Sequence, residues 1–241
     1  MAKNIKKRSA SHIYFGVNKL TGELKHISEV PSGQKCNCIC AACLQPFEAR
    51  KGTRRRHHFA HVSNYECMYA SEVAIYKAFA EALKQSGFLT LSPVMLRFPA
   101  WHDPELLQEA RRLKIDSVAF ECEPLSYPPL LRVTMQGTPL RILLDFDRYY
   151  DDDDRVELAE EAKAEDYSLL LISMPKIEQD TEFTPDRLQS ALQDNDRTEW
   201  VFSRLEEQWK QKYYAVAVSP PEHGTGNLCP ISFGKYKGKY S

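Results

Sequence analysis

The sequence predicts a mixed α/β protein: an α-β-β-β-α-β core, preceded by a cysteine- and histidine-rich module and followed by helices. Three observations predict it. Apolar residues recur at helical spacing over 71–86, and residues 155–166 have helix-forming composition. Between and after them lie short runs rich in β-branched and aliphatic residues. Five of the seven cysteines, Cys36, Cys38, Cys40, Cys43 and Cys67, fall in the first 67 residues, beside His57, His58 and His61.

Each element has its own local cause. Residues 1–11 are basic and polar, an arm. "IYFGVNKLTGELKHISEV" (13–30) reads as two short strands around a Leu20-Thr21-Gly22 turn. A helix opens at Ser71 and closes at Gly87, which serves as its C-cap. On its wheel Glu72 falls between Ile75, Tyr76, Phe79, Ala80 and Leu83, so it either faces the core or caps the helix beside Ser71. "TLSPVMLRF" follows as a strand, then a short helix over 104–112. Strands are expected at 113–123, 130–136 and 140–149, the last two joined at Gly137-Thr138-Pro139. The helix at 155–166 precedes "YSLLLISM" (167–174), apolar along most of its length and so a strand buried on both faces. Thr184-Pro185 opens another helix. Val201, Leu205, Trp209 and Tyr213 recur at four-residue steps and predict a longer helix over 198–214. The division is 1–69 (arm, hairpin and Cys/His module), 70–175 (α/β core), 176–218 (helical extension) and 219–241 (linker and basic tail).

Composition narrows the class. The chain has 241 residues, 43% hydrophobic and 27% charged, enough apolar material for a core. No apolar run approaches the roughly 18 residues of a membrane span, and no leader pattern is seen, so a cytoplasmic protein is expected. The net charge of −1 hides an asymmetry. Residues 1–66 carry twelve Lys and Arg against four Glu, whereas residues 145–166 carry eleven acids against three bases. A basic front end suits phosphate. The acidic middle repels it unless cations bind there, and it suits a basic protein partner. Oligomeric state stays open.

Cys40-x-x-Cys43 puts two thiols on one tight turn, the bite a tetrahedral zinc takes from a single chain segment. His61 and Cys67 complete four ligands, with His58 as the rival imidazole and Cys38 as a further candidate. Four protein ligands leave no position for water, so this zinc would be structural. Arg54, Arg55 and Arg56 sit on the loop it would hold rigid, placed for phosphate contact or as solvated surface.

The stretch "CICAACLQPFEARKGTRRRHHFAHVSNYECMYASE" resembles the CoiA-like competence proteins, in which a cysteine knuckle, a His-Phe-Ala-His stretch, a further Cys and a helix with a Glu lead into a nuclease-like domain. The resemblance is specific over about 36–86 and looser to 174. It implies a restriction-endonuclease-like domain of the PD-(D/E)xK type. Such domains hold one or two Mg²⁺ or Mn²⁺ ions between carboxylates of adjacent strands, often with a Glu of the first helix.

Carried over by position, the carboxylate motif falls on Asp145-Phe146-Asp147, with Glu72 as the helix residue. Alternation puts Asp145 and Asp147 on one strand face. Two positions depart from the pattern. Asp147 stands where a lysine is expected, and the preceding strand offers Thr134 in place of a carboxylate. Asp116 or Glu121 is the substitute considered for the latter, and Lys163 for the former. The tetra-Asp run at 151–154 reads as a solvated loop. The expected function is a metal-dependent nuclease acting on DNA, in uptake, processing or defence. The alternative is a catalytically degenerate subunit that binds nucleic acid or a protein partner.

Overall fold

In a computed structural model of the chain, which describes residues 12–63, 67–97, 103–122, 128–146, 150–174 and 183–218, the expected first hairpin forms from β1 (Phe15–Asn18) and β2 (Leu24–His26). The Asn18 side chain accepts the Leu20 and Thr21 N–H groups, and Gly22 takes the positive φ of 72° that the turn needs. β3 (Cys38–Ile39) adds to the other edge of β1. β4 (Phe47–Arg50) and β5 (His58–His61) form a separate hairpin. Gly16 marks where these layers meet: a Cβ there would lie 3.1 Å from the Cys38 Cβ and 3.3 Å from the Phe47 and Phe59 rings. Only glycine fits that approach without displacing its neighbours.

α1 (Ala70–Ser86) ends as expected, with Gly87 at φ 65° donating its N–H to the Leu83 carbonyl. Val73, Tyr76, Phe79 and Leu83 are fully buried, and the helix packs against β1, a short helix at 185–191 and the strand that begins the main sheet. β6 (Phe88–Leu91), β7 (Val94–Leu96), β8 (Glu105–Gln108) and β9 (Arg111–Lys114) follow as two ladders, β6–β9 and β7–β8. The helix expected over 104–112 is therefore strand. Good helix formers are overridden by pairing: Leu113 is buried opposite Leu89, and the Arg112 guanidinium stacks 4.5 Å over the Phe88 ring.

The main sheet runs β10 (Ser117–Glu121), β11 (Leu130–Met135), β12 (Thr138–Phe146), β13 (Ser168–Met174) and β14 (Thr198–Phe202) in that spatial order. β12 and β13 are parallel, linked by α2 (Asp152–Ala164); every other neighbouring pair is antiparallel. The β11–β12 turn is Gln136-Gly137, at φ 50° and 72°, one residue earlier than expected. The tetra-Asp run caps and opens α2: the Asp151 carboxylate accepts the Asp154 N–H, and Asp152, Asp153 and Asp154 fill the first turn, where the helix dipole favours acids.

α3 (Pro185–Ala191) starts as predicted, with Thr184 capping it and Pro185 first. The helix expected from 198 instead begins at Arg204 as α4 (Arg204–Val218), because Thr198–Phe202 joins β13 as the edge strand β14. Val201 belongs to that strand, so the four-residue step through it was coincidental. Among the described residues no helix is long and apolar enough to cross a membrane.

The core has two parts, one on each face of the main sheet. Leu140, Ile142, Leu144 and Phe146 of β12, with Leu170 and Ile172 of β13, share a core with α1 and with Tyr14, Phe15, Phe47 and Phe59 of the first strands. Leu143, Leu169 and Leu171 point the other way, towards Ala162 and Leu158 of α2. β12 outruns its neighbour: its pairing with β11 reaches Leu131 opposite Ile142, and β12 continues to Phe146. The Tyr76 hydroxyl of α1 accepts the Leu144 N–H at 2.7 Å beyond that point. Tyr76→Phe should strand this buried amide and cost about 1–3 kcal/mol in chemical denaturation. An unchanged midpoint would mean that the amide has another acceptor.

Candidate metal centre and the acidic strand end

β3 delivers the chain into a turn built around Cys40. The Cys40 N–H donates to the Gln45 carbonyl, the Leu44 N–H to the Cys40 carbonyl, and the Ala42 N–H to the Cys40 Sγ at 3.4 Å. Leu44 takes φ 61° to close the turn, which brings the thiols of Cys40 and Cys43 to one side. β5 contributes its last residue: His61 stands opposite Phe47, packs edge-on against that ring at 4.8 Å, and sets its Nε2 3.2 Å from the Cys43 Sγ. Cys67 arrives just before α1. The ligand atoms of Cys40, Cys43, His61 and Cys67 all lie within 4.8 Å of one another. A tetrahedral zinc, with bonds of about 2.0–2.3 Å, spaces its ligand atoms by roughly 3.5–3.8 Å. The group can hold a metal ion, and its donor set is one that zinc takes.

Its electrostatics suit a cation. The Cys67 thiol is lowered to about 6, first by its hydrogen bond with the Cys40 thiol, while that same bond and burial push Cys40 up. Burial pushes Cys43 up and His61 down, so the imidazole is neutral at pH 7, as a ligand must be. Metal entry replaces the protons that the buried thiols otherwise keep.

Strand alternation decides between the histidines. Phe59 and His61 face inward on β5, whereas His58 lies on the opposite face, where its Nδ1 meets the Arg56 carbonyl at 2.9 Å. Cys38 is also outside the group: its thiol donates to the Cys36 carbonyl at 3.2 Å and is pushed up to about 12, mainly by burial. Arg54, Arg55 and Arg56 are exposed on the 51–57 connection between β4 and β5, the far end of the hairpin that carries His61.

The predicted carboxylates divide between the two ends of β12, with Asp116 at the turn end and Asp145 at the other. Asp145 is 3% exposed near the end of β12 and lies on the α2 face, in the alternation of Arg141 and Leu143. Glu72, also 3% exposed, is on α1, across the sheet, and its charge acts on Cys67 of the metal centre. Asp116 is exposed at the opposite end of β12, where its carboxylate accepts the Gly137 N–H at 2.9 Å. Eight strand residues, about 26 Å at about 3.3 Å each, separate Gly137 from Asp145. Thr134 pairs with Pro139 at that same remote end, and Glu121 is bound to Arg132 on the edge of the sheet. Lys163 is committed to Glu207 of α4 at 2.7 Å. Asp147 lies outside the described residues. Among those described, the Cys/His group is the one cluster of three or more metal-type ligands.

Arg155 escaped the sequence reading. Its guanidinium stands 4.0 Å from the Asp145 carboxylate and 2.6 Å from Glu199 of β14. The signal was there: Arg155, Leu158 and Ala162 share the helix face that packs on the sheet. Part of the acidic surface is also met within the chain, Glu161 and Glu165 by Arg141 and Asp166 by Arg204.

No protein-family model, curated protein or solved structure matches the chain.

Proposed function

We propose that this chain is a zinc-stabilised, nuclease-like protein that binds DNA, acting as a binding subunit in the bacterial cytoplasm. The observation that carries the reading is the β4–β5 hairpin. One end holds a ligand of the metal centre, and the other carries Arg54, Arg55 and Arg56 into solvent. A structural metal fixes the hairpin to the turn of Cys40 and to the start of α1, so the arginines are presented on a stiff support. Phosphate contacts made from such a support position the protein on a nucleic acid without reading its sequence. The resemblance to the CoiA-like proteins supports a restriction-endonuclease-like ancestry for the core, as does the order α1, β10, β11, β12, α2, β13 that remains once the separate β6–β9 and β7–β8 ladders are set aside. Binding without cleavage is favoured by the distance of Asp116 from Asp145, and by Arg155, a cation beside the carboxylate that would otherwise attract Mg²⁺ or Mn²⁺.

The test is binding itself. Zinc-loaded full-length chain should bind duplex DNA with an affinity that falls steeply as salt rises. Absence of binding at low salt would contradict the reading.

A second reading, a Mg²⁺- or Mn²⁺-dependent nuclease, has one observation in its favour. Asp145 is a buried carboxylate near the end of β12, beyond the reach of β11, and Asp147 follows two residues later. A carboxylate so placed is well sited for a cation.

A further inference from the structure

The exposed 51–57 connection also has a neighbour within the chain. With α3, from more than a hundred residues further along, it walls a cleft of about 530 Å³ lined by Tyr14, Thr53, Arg55, Arg56, His57 and Arg187. That volume lies within the range of small-ligand sites. Three of these side chains are permanently cationic, a fourth is an imidazole, and none of the lining residues is acidic. Thr53 and Tyr14 add hydroxyl-bearing side chains, and a Cβ at Gly52 would meet nothing within 4 Å, so the cleft is open on that side. Arg187 takes its place from a defined element: Thr184 caps α3 through the Arg187 N–H, and Leu188 beside it is buried.

The charge identifies the ligand class. An internal phosphodiester carries one negative charge, and a flat basic surface meets it adequately. A phosphomonoester carries about −1.5 to −2 at pH 7 and offers three strong acceptor oxygens. Guanidinium groups recognise such oxygens with paired, charge-assisted hydrogen bonds. Three arginines converging on one concave site match the monoester better than the diester. We infer that the cleft between the 51–57 connection and α3 binds a terminal phosphomonoester, such as the phosphorylated end of a nucleic-acid strand. This deepens the proposed DNA binding and rests on it.

The experiment uses zinc-loaded full-length protein and fluorescent single-stranded oligonucleotides of one sequence, ending in 5′-phosphate, 3′-phosphate or hydroxyl only. One phosphorylated end should bind about tenfold more tightly than the hydroxyl form. Arg187→Gln, at an exposed position away from the metal centre, should abolish that preference and leave the hydroxyl form bound within about twofold. Arg187→Lys should restore part of it, since the charge returns without the planar fork. A deoxynucleoside monophosphate supplied as competitor separates two sources of the same chemistry. Loss of the end preference at micromolar competitor assigns a free nucleotide, and loss only at millimolar competitor assigns the strand end. Equal affinity for all three oligonucleotides, with wild-type behaviour of Arg187→Gln, would overturn the cleft while the DNA-binding function stands. No binding of any oligonucleotide, single-stranded or annealed to its complement, would overturn both.

Discussion

Cys40→Ser should strip the chain of zinc and unfold its N-terminal part. The wild-type protein is expected to purify with about one zinc per chain. In the variant the metal content should fall close to zero, because the lost thiolate is the fully buried member of the four. Binding of a structural zinc contributes on the order of 10 kcal/mol to the folding of a small module. Residues 13–61 share one apolar core with α1, so the damage should not stay local. The thermal transition of the whole chain should drop, and limited proteolysis should cut within the first sixty or so residues. Cys38→Ala is the control: it removes a buried thiol outside the group and should keep the zinc. Stoichiometric zinc in a Cys40/Cys43 double variant would refute the ligand assignment.

With Mg²⁺ or Mn²⁺ added, the chain should leave single- and double-stranded DNA intact, and Asp145→Asn should behave as wild type in that assay. The nuclease reading predicts the reverse. It requires cleavage that EDTA stops and that Asp145→Asn abolishes, since removing a metal ligand takes several kcal/mol from the transition state. The two outcomes are orders of magnitude apart in rate. Arg155→Met gives an independent check on the fold side. It removes the guanidinium that links buried Asp145 to Glu199, and stability should fall by about 2–3 kcal/mol. That is less than the roughly 3–5 kcal/mol of a fully buried pair, because Arg155 itself is partly exposed. Cleavage that survives Asp145→Asn would place a catalytic site elsewhere in the chain.

Local chemistry made much of this legible in the sequence. The close of α1 at Gly87, the start of α3 at Thr184-Pro185 and the run Leu169–Ile172 each depend on a few neighbouring residues, and each formed as expected. The metal group was legible for the same reason, since Cys40-x-x-Cys43 fixes half of it within four residues. Choosing His61 over His58 needed one further fact, the alternation along β5. Longer-range pairing misled. "PELLQEARR" has helical composition, and "TEWVF" runs into a true helix, yet both pair as strands with partners elsewhere in the chain. The carboxylates show the limit most clearly. Alternation gives the face of a strand that a residue occupies, but register decides which end it reaches. Asp116 and Thr134 proved to lie at the turn end of β12, and Asp145 at the other. The cleft at Arg187 joins positions so far apart that no spacing in the chain announces it.

If the metal-held loop carries phosphate contacts, as proposed, the salt dependence of DNA affinity will differ between wild type and an Arg54→Gln, Arg55→Gln, Arg56→Gln triple variant. Each phosphate contact contributes about 0.9 to the slope of log affinity against log salt on duplex DNA. The triple variant should keep its zinc and its thermal stability, with a slope shallower by about 2–3. A zinc-loaded triple variant with the wild-type slope and affinity would contradict the proposal.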